Sequence, residues 1–515
     1  MPQLQLNSGP QDALLYDNTR SYFTNVGYVR TSNFQLELRD VDPQNSASLG
    51  TTVQFVIPKA ADLLGPVDLM LDFKTADGGA AANTYAAWVE SVGLAMIDRI
   101  TFSVGSHDIE TITGDQLNII NELMKGDSQR LGRDTVLKTG QGAVVQEITA
   151  ADAATLRKSS KGRLIYAAGA YETGKKLIVP LGLFFTKHPS QYFPLAAIAG
   201  CNDVRVAVKL RPLNELLVLG GSAHTVSGSK ITVQNANTPG VPTWSGGLIE
   251  KCRLRCHYVH VTGPEATTLM NKEHVRLLKL WQLNHKTVSV SASTTVNALA
   301  SIDLSFLHPV SELVITIRKK SEMSSSTSVT ADIDNTDQQA FCKNYFAYQG
   351  GGSDPNIESL QNRTSPLKAV TSGVDEYLTV DNIKLTLNGQ ERHPGLASTG
   401  LDRDYLMNRL QPMLHSNAST YFGDSQDSLV TDGSELDFQS LSNMLDRKEI
   451  YVYPFSLNPE GSNPSGAVNF SKVSHAKLEI NGTAVGASVE YQVDVYGVHY
   501  NWLQIKDGRA LTSFA

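Results

Sequence analysis

Few residues in this 515-residue chain sit at spacings that chemistry requires. Cys252 and Cys256 lie in KCRLRCHYVH with His257 and His260 beside them. A tetrahedral zinc site needs four ligands converging from compact pairs. Here a strand would put Cys252, Leu254, Cys256 and Tyr258 on one face and Arg253, Arg255 and His257 on the other, so buried free thiols are the better reading. Four cysteines (Cys201, Cys252, Cys256, Cys342) in a chain of this length do not make a disulfide scaffold, and all four are expected reduced. Gly169 to Lys175, GAYETGK, has the spacing of a phosphate loop. Its next residue is Lys176, not Ser or Thr, and a strand-like run LIVPLGLFF follows where a helix N-terminus would have to aim its amides at the anion.

His188, His308 and His393 each precede proline, as turn residues do, and the loop carboxylates have no legible partner. Asn362, Asn417, Asn469 and Asn481 are formal glycosylation sequons. No catalytic, metal or cofactor-binding residue stands out, and no cofactor is implied. The net charge of −7 gives no footprint for nucleic acid. The first twenty residues lack the charged and apolar regions of a signal peptide, and the longest apolar run is far short of a bilayer span, so a soluble protein is expected.

What the sequence does contain is a plan used twice. Ile100, Phe102 and Val104 alternate with Arg99, Thr101 and Ser103, Gly105-Ser106 reads as a two-residue hairpin turn, and a return strand follows. Thr113 with Gln116 forms a capping box for a helix through Leu117, Ile120 and Met124. Downstream, Ile383, Leu385 and Leu387 alternate with polar residues and Asn388-Gly389 supplies the turn; 383−100, 385−102, 387−104 and 389−106 all give 283. Thr399 and Asp402 should open a second helix through Leu406 and Leu410 that Pro412 stops. A further match pairs LIVPLGLFF and Val204–Val208 with IYVYPFSL and Ala476–Ile480, at offsets 450−177 = 273 and 476−204 = 272. Repetition at this period means two domains of one architecture.

The expected organisation is an arm over 1–26, a first sandwich over 27–215, a linker or excursion with one hairpin over 216–248, a second sandwich over 249–507 opened by the cysteine strand, and a tail over 508–515. Residues 126–175 read as loop. Residues 321–368, rich in Ser, Asp, Asn and Gly, read as an exposed insertion loop or a locally disordered segment. Many short strands between turn signals make the chain all-β.

Several strings carry a resemblance: PSGAVNFSKVSHAKL (464–478) after IYVYPFSLNPE, NGQER (388–392), QPMLH (411–415), VGLAMIDRITFSVG after Trp88, LIVPLGLFFTKHP with FPLAAI, VAVKLRPLNEL, and HPVSELVITIR (308–318). Over roughly residues 27–505 the chain resembles the major capsid proteins of the nucleocytoplasmic large DNA viruses, the family of the iridoviruses and algal giant viruses; the insertion and the arm depart from that pattern. The resemblance implies two tandem eight-stranded jelly-roll sandwiches. It also implies an architectural, non-enzymatic role: a homotrimer forming a pseudo-hexagonal capsomer, contacts between capsomers and with minor capsid proteins, an icosahedral shell over an inner membrane that the chain does not enter, and assembly in the host cytoplasm. The competing reading is a secreted or surface carbohydrate-binding protein of two β-sandwiches, with exposed aromatics on one face.

Overall fold

The structure is a computed structural model. It describes residues 33–74, 84–88, 91–124, 164–167, 170–171, 176–200, 202–221, 224–227, 230–233, 247–290, 295–320, 328–329, 346, 348, 377–392, 400–415, 450–461, 463–485 and 489–514.

The hairpin plan is the centre of each unit. In the first, β1 (Phe34–Val41), β2 (Thr52–Ile57), β3 (Leu63–Phe73), β4 (Ile97–Val104), β5 (His107–Thr113), β6 (Lys176–Pro180), β7 (Val204–Leu210) and β8 (Ile249–Val261) form two sheets. One runs β1-β8-β3 with β6 on the other side of β3, and the other runs β2-β7-β4-β5. In the second unit, β9 (His274–Val290), β10 (Thr295–Asp303), β11 (Pro309–Lys319), β12 (Tyr377–Leu387), β13 (Gln390–Glu391), β14 (Ile450–Pro454), β15 (Ala476–Val485) and β16 (Val489–Lys506) repeat this order as β9-β16-β11-β14 and β10-β15-β12-β13. Each unit is thus an eight-stranded jelly roll. The first aligns Val104 with Val204 and Phe102 with Val206; the second aligns Leu387 with Ala476 and Leu385 with Leu478. The hairpins turn as the sequence implies: Gly105 has φ +63°, and Asn388 and Gly389 have φ +52° and +78°.

The inner faces carry the alternating apolar residues. Phe102 packs against Phe184, Phe185 and Phe193 at centroid separations of 6.0, 5.1 and 5.3 Å in the first core. Leu385, Leu478, Ile315 and Val495 fill the second.

Several expectations are corrected. The cysteine strand β8 does not open the second unit. It lies between β1 and β3, with Cys252, Leu254, Cys256 and Tyr258 buried in the first core. A jelly roll closes by returning its last strand to the middle of its first sheet, so the excursion before β8 interrupts the first unit and does not end it. That excursion holds the expected hairpin, His224–Ser227 with Lys230–Val233, and its Leu217–Gly221 pairs with Thr84–Trp88. Within 126–175, Leu164–Ala167 also pairs with Thr84–Trp88, so part of the supposed loop is strand. The C-terminal tail is no tail: Arg509–Thr512 pairs antiparallel with β16. In the supposed exposed insertion, Phe346 and Tyr348 are buried and Ser328–Val329 pairs with His224–Ser227. The arm lies outside the described residues.

The second-copy strand offset is 274, not 273. Leu177 and Val179 face the first core while Tyr451 and Tyr453 face the second, and Pro180 then matches Pro454 (454−180 = 274). A slip of one residue exchanges the two faces of a strand.

The helices differ too. α1 (Gly114–Met124) has the expected capping box: the Thr113 amide donates to Gln116 Oε1 at 2.9 Å and the Gln116 amide to Thr113 Oγ1 at 3.3 Å. α2 (Gly263–Asn271) links the units. The third helix, α3, starts at Arg403 after a short strand, Leu401–Asp402, and Thr399 lies outside the described residues. Pro412 does not stop it. Arg403–Tyr405 continues through a π turn, Leu406–Leu410, into Gln411–Leu414, where Pro412 falls in a new first turn that needs no amide donor.

Candidate functional site

The residues flagged for possible chemistry separate in space. Cys252 and Cys256 are buried free thiols, and burial pushes both up to about 12. His257, on the opposite face, approaches Asp68 at 3.6 Å, and His260 Nε2 lies 2.7 Å from Glu37. His188 caps a turn, its Nδ1 accepting from the Ser190 amide at 3.2 Å, and His308 adopts φ +69° in a turn. Lys176 opens a strand, so GAYETGK leads into no helix. Cys201, Cys342, His393, Asn362 and Asn417 fall outside the described residues. Asn469 caps a turn through the Ser471 amide, and Asn481 bonds to Asn382. No helix among the described residues is long and apolar enough to cross a membrane.

The polar chemistry of the chain gathers instead on the outer face of the second jelly roll's first sheet, where it meets the first jelly roll. On β11 the residues Leu313, Ile315 and Ile317 point into the second core. Glu312, Val314, Thr316 and Arg318 therefore point outward, yet all four are buried. Val314, with Ile450, Val452 and Tyr496, joins the apolar cluster of the first unit. The outer face of one sandwich is thus covered by the other.

Two buried charge groups lie on this face. Arg318, 2% exposed, reaches into the first unit: its Nη1 donates to Asp115 Oδ1 at 2.7 Å and its Nη2 to Asp115 Oδ2 at 3.2 Å. The same Nη2 donates to Asp494 Oδ2 of β16 at 2.5 Å, and Gln492 Nε2 holds the other Asp494 oxygen at 2.8 Å. The guanidinium lies 5.8 Å from the Tyr348 ring centroid, and Asn118 Nδ2 donates to the Tyr348 hydroxyl at 3.3 Å. A helix of the first unit, two strands of the second and a residue of the insertion so converge on one side chain. Burial, then the Asp115 and Asp494 charges, pushes the Tyr496 phenol well up.

Six residues along β11, Glu312 Oε2 lies 3.0 Å from His415 Nε2, and Glu460 Oε1 lies 3.3 Å from His415 Nδ1. Burial opposes charge on this imidazole, but the Glu312 charge and hydrogen bond, with Glu460, raise it to about 9. An imidazolium between two carboxylates fixes the end of α3 against β11. In the first unit Glu110 is buried; burial raises it to about 7 although Phe184 donates its amide to Oε2 at 2.8 Å. These groups are buried, and their chemistry is to fix elements in place.

Sequence reading missed this site. Its one signal was that Arg318 and His415 end two of the strings carrying the family resemblance, HPVSELVITIR and QPMLH. By alternation alone, Glu312, Thr316 and Arg318 beside Leu313, Ile315 and Ile317 would be placed on a solvent face.

Comparison with known proteins agrees with this architecture. Residues 21–247 match the family described as major capsid protein N-terminus. The chain is 24% identical to the major capsid protein of Phaeocystis pouchetii virus, over 97% of this chain and 96% of that one. It is 21% identical to the major capsid protein of Paramecium bursaria Chlorella virus 1, over 98% and 97%. Its fold matches a chain of the PBCV-1 virus capsid quasi-atomic model with TM-score 0.61 and 18% identity, covering 96% of this chain and 100% of that one. It also matches the Faustovirus major capsid protein with TM-score 0.60 and 12% identity, over 95% and 93%. With this match in the first unit and relatives alike over nearly the whole length, the chain is similar to the major capsid proteins of large DNA viruses and has the double jelly-roll fold.

Proposed function

We propose that the chain is a shell-building block: three copies associate into a capsomer of six similar wedges, and these capsomers tile an icosahedral virus shell. The observation that carries this reading is the pairing of two jelly rolls with the same strand order and register, joined through Arg318, Asp115 and Asp494. A block used in many copies must hold its two wedges at one angle. Burying the outer face of one sheet against the neighbouring unit does that, and three such chains approximate a six-sided block. A head-to-tail closed ring uses a heterologous interface between the first unit of one chain and the second unit of the next. A permanent contact of this kind buries upwards of about 2,000 Å².

Minor capsid proteins and an inner membrane that lies nearby without being entered are the further partners this role implies, with assembly in the host cytoplasm. The job requires no catalytic group. Mass measurement on the purified protein at micromolar concentration tests the reading. The expected mass is three times 55.9 kDa. A stable monomer at every concentration, accompanied by glycan binding, would contradict it in favour of a carbohydrate-binding protein.

A further inference from the structure

The last strand of the chain touches both units. At the end of β16 the residues Asp507 and Gly508 have φ +51° and +73°, and Arg509–Thr512 returns antiparallel along β16. Two left-handed central residues are what a tight two-residue hairpin turn requires. This turn enters the first unit. The Ala199 amide donates to the Gly508 oxygen at 3.0 Å, and Asn202 Nδ2 donates to the same oxygen at 2.8 Å. A Cβ at Gly508 would collide with Ala199. Leu503, Ile505 and Ala510 of the same hairpin are buried in the apolar cluster of the first unit.

The other end of the hairpin is held by the second unit. Asn501 clamps Phe514, donating from Nδ2 to its oxygen at 2.7 Å and accepting its amide on Oδ1 at 3.3 Å. The Phe514 ring lies 5.9 Å from the His308 ring, and His308 stacks on His499 at 5.4 Å with 29° between the planes. His308, which leads into β11, is itself fixed: its amide donates to Ser471 Oγ at 2.9 Å and its oxygen accepts the Phe470 amide at 3.1 Å. His499 is 5% exposed, and its Nδ1 has no hydrogen-bond partner. Phe514, His308 and His499 thus join the end of the hairpin to the second unit through rings alone.

A stacked imidazole pair tolerates one proton far better than two, because a second charge would be both buried and beside its like. Burial, then His308, holds His499 down to about 4, although the backbone of Gly497 and of Leu280 favours its charged form. The charged side chains on the surrounding elements do not offset this. Lys279 of β9 binds the oxygens of Pro459 and Gly461 and lies over the Tyr500 ring, and Glu312 of β11 meets His415. Lys472, in the turn that holds His308, is exposed, as are Lys506 and Arg509 of the hairpin, with Lys506 3.6 Å from Glu273.

We propose that this hairpin is an acid-released strap: when His308 and His499 both carry a proton the ring stack parts, and the Phe514 end lets go of the second unit. The coupling between units that runs through Gly508 then slackens from that end. The device belongs to the single chain and does not depend on how many chains make a block.

Hydrogen exchange on the full chain, corrected for the intrinsic rate at each pH, tests it. Protection of the amides from Arg509 to Phe514 should fall at least about tenfold between pH 6.5 and 4, since each unit by which the closed strap lowers a proton affinity is a factor of ten. Strands β12 and β15 of the second core should keep their protection over that range. His499→Phe leaves a ring in the stack without a charge and should hold the strap closed at pH 4. Phe514→Ala, at an exposed position, should loosen the same amides already at pH 7, and it carries the test should His499→Phe fold poorly. A wild-type strap that stays protected at pH 4, or that opens only together with the core strands, overturns the proposal. So does equal acid release in His499→Phe, or a Phe514→Ala strap no looser than the wild type.

Discussion

The helices α1 and α3 occupy the same place in two copies of one plan, and they have diverged according to what lies over them. α1 is a regular helix with a reciprocal capping box, and it buries polar residues, Asp115, Asn118, Asn121 and Glu122, together with Leu117, Ile119 and Leu123. It sits between two sandwiches, and its acid is matched by Arg318 across the seam. α3 has a π turn and no side-chain cap at Asp402, and it presents Tyr405 and Met413 outward. The same strand–turn–strand–helix unit thus becomes an internal clamp where a second unit covers it and an open surface where none does.

The largest effect expected from breaking this difference is at Arg318. Arg318→Ala leaves Asp115 and Asp494 buried without their cation and should cost about 3–5 kcal/mol, read as a lowered denaturation midpoint. A triple change of Arg318, Asp115 and Asp494 to apolar residues of similar volume should recover most of that loss, since a buried ionic cluster is often replaceable as a unit.

The pH dependence separates the two units. Glu110 is raised to about 7 from an ordinary value of 4.5, and His415 to about 9 from 6.5. In both, the folded state binds the proton more tightly than the unfolded state. The stability each contributes is therefore complete below the ordinary value and lost as pH rises through the folded one. Stability should fall between about pH 4.5 and 7 through Glu110 and between about 6.5 and 9 through His415, each on the order of 3 kcal/mol. Denaturant titrations across pH should show Glu110→Gln removing the lower slope and His415→Ala the upper. His499 runs oppositely. Burial, then His308, lowers it to about 4, so its contribution is present above about pH 6.5 and disappears as pH drops toward 4.

The smallest expected effect concerns the helix starts. Thr113→Ala removes one half of a capping box and should cost about 1 kcal/mol. Asp402→Ala, whose side chain caps nothing, should stay within about 0.5 kcal/mol. Equal costs in thermal melts would show that the two starts do not differ in the way described.

Much of this architecture was legible. The hairpins at Gly105-Ser106 and Asn388-Gly389 held their 283-residue offset because two-residue turns fix strand register, and the capping box at Thr113 appeared as written. The strands LIVP and YVYP were set one residue out because both their faces are apolar: Val452 points away from its own core and is buried all the same, against the first unit. Alternation fixes register only where one face is wet. That absence of water is also why alternation alone does not reveal that Glu312 and Arg318 are buried, and why Phe346 and Tyr348 do not stand out within a polar stretch. β8 was assigned to the wrong unit because its partners β1 and β3 lie some 180 or more residues upstream, as its pairings of Leu254 with Leu69 and Val41 show, and nothing local marks such a return.

The central claim is that each chain supplies two similar wedges held at one angle, three chains to a block. Electron microscopy of the purified soluble protein tests it most directly. The account predicts class averages with three-fold symmetry and six lobes of nearly equal size; two-lobed particles of single-chain mass, or lobes whose mutual angle varies from particle to particle, would contradict it.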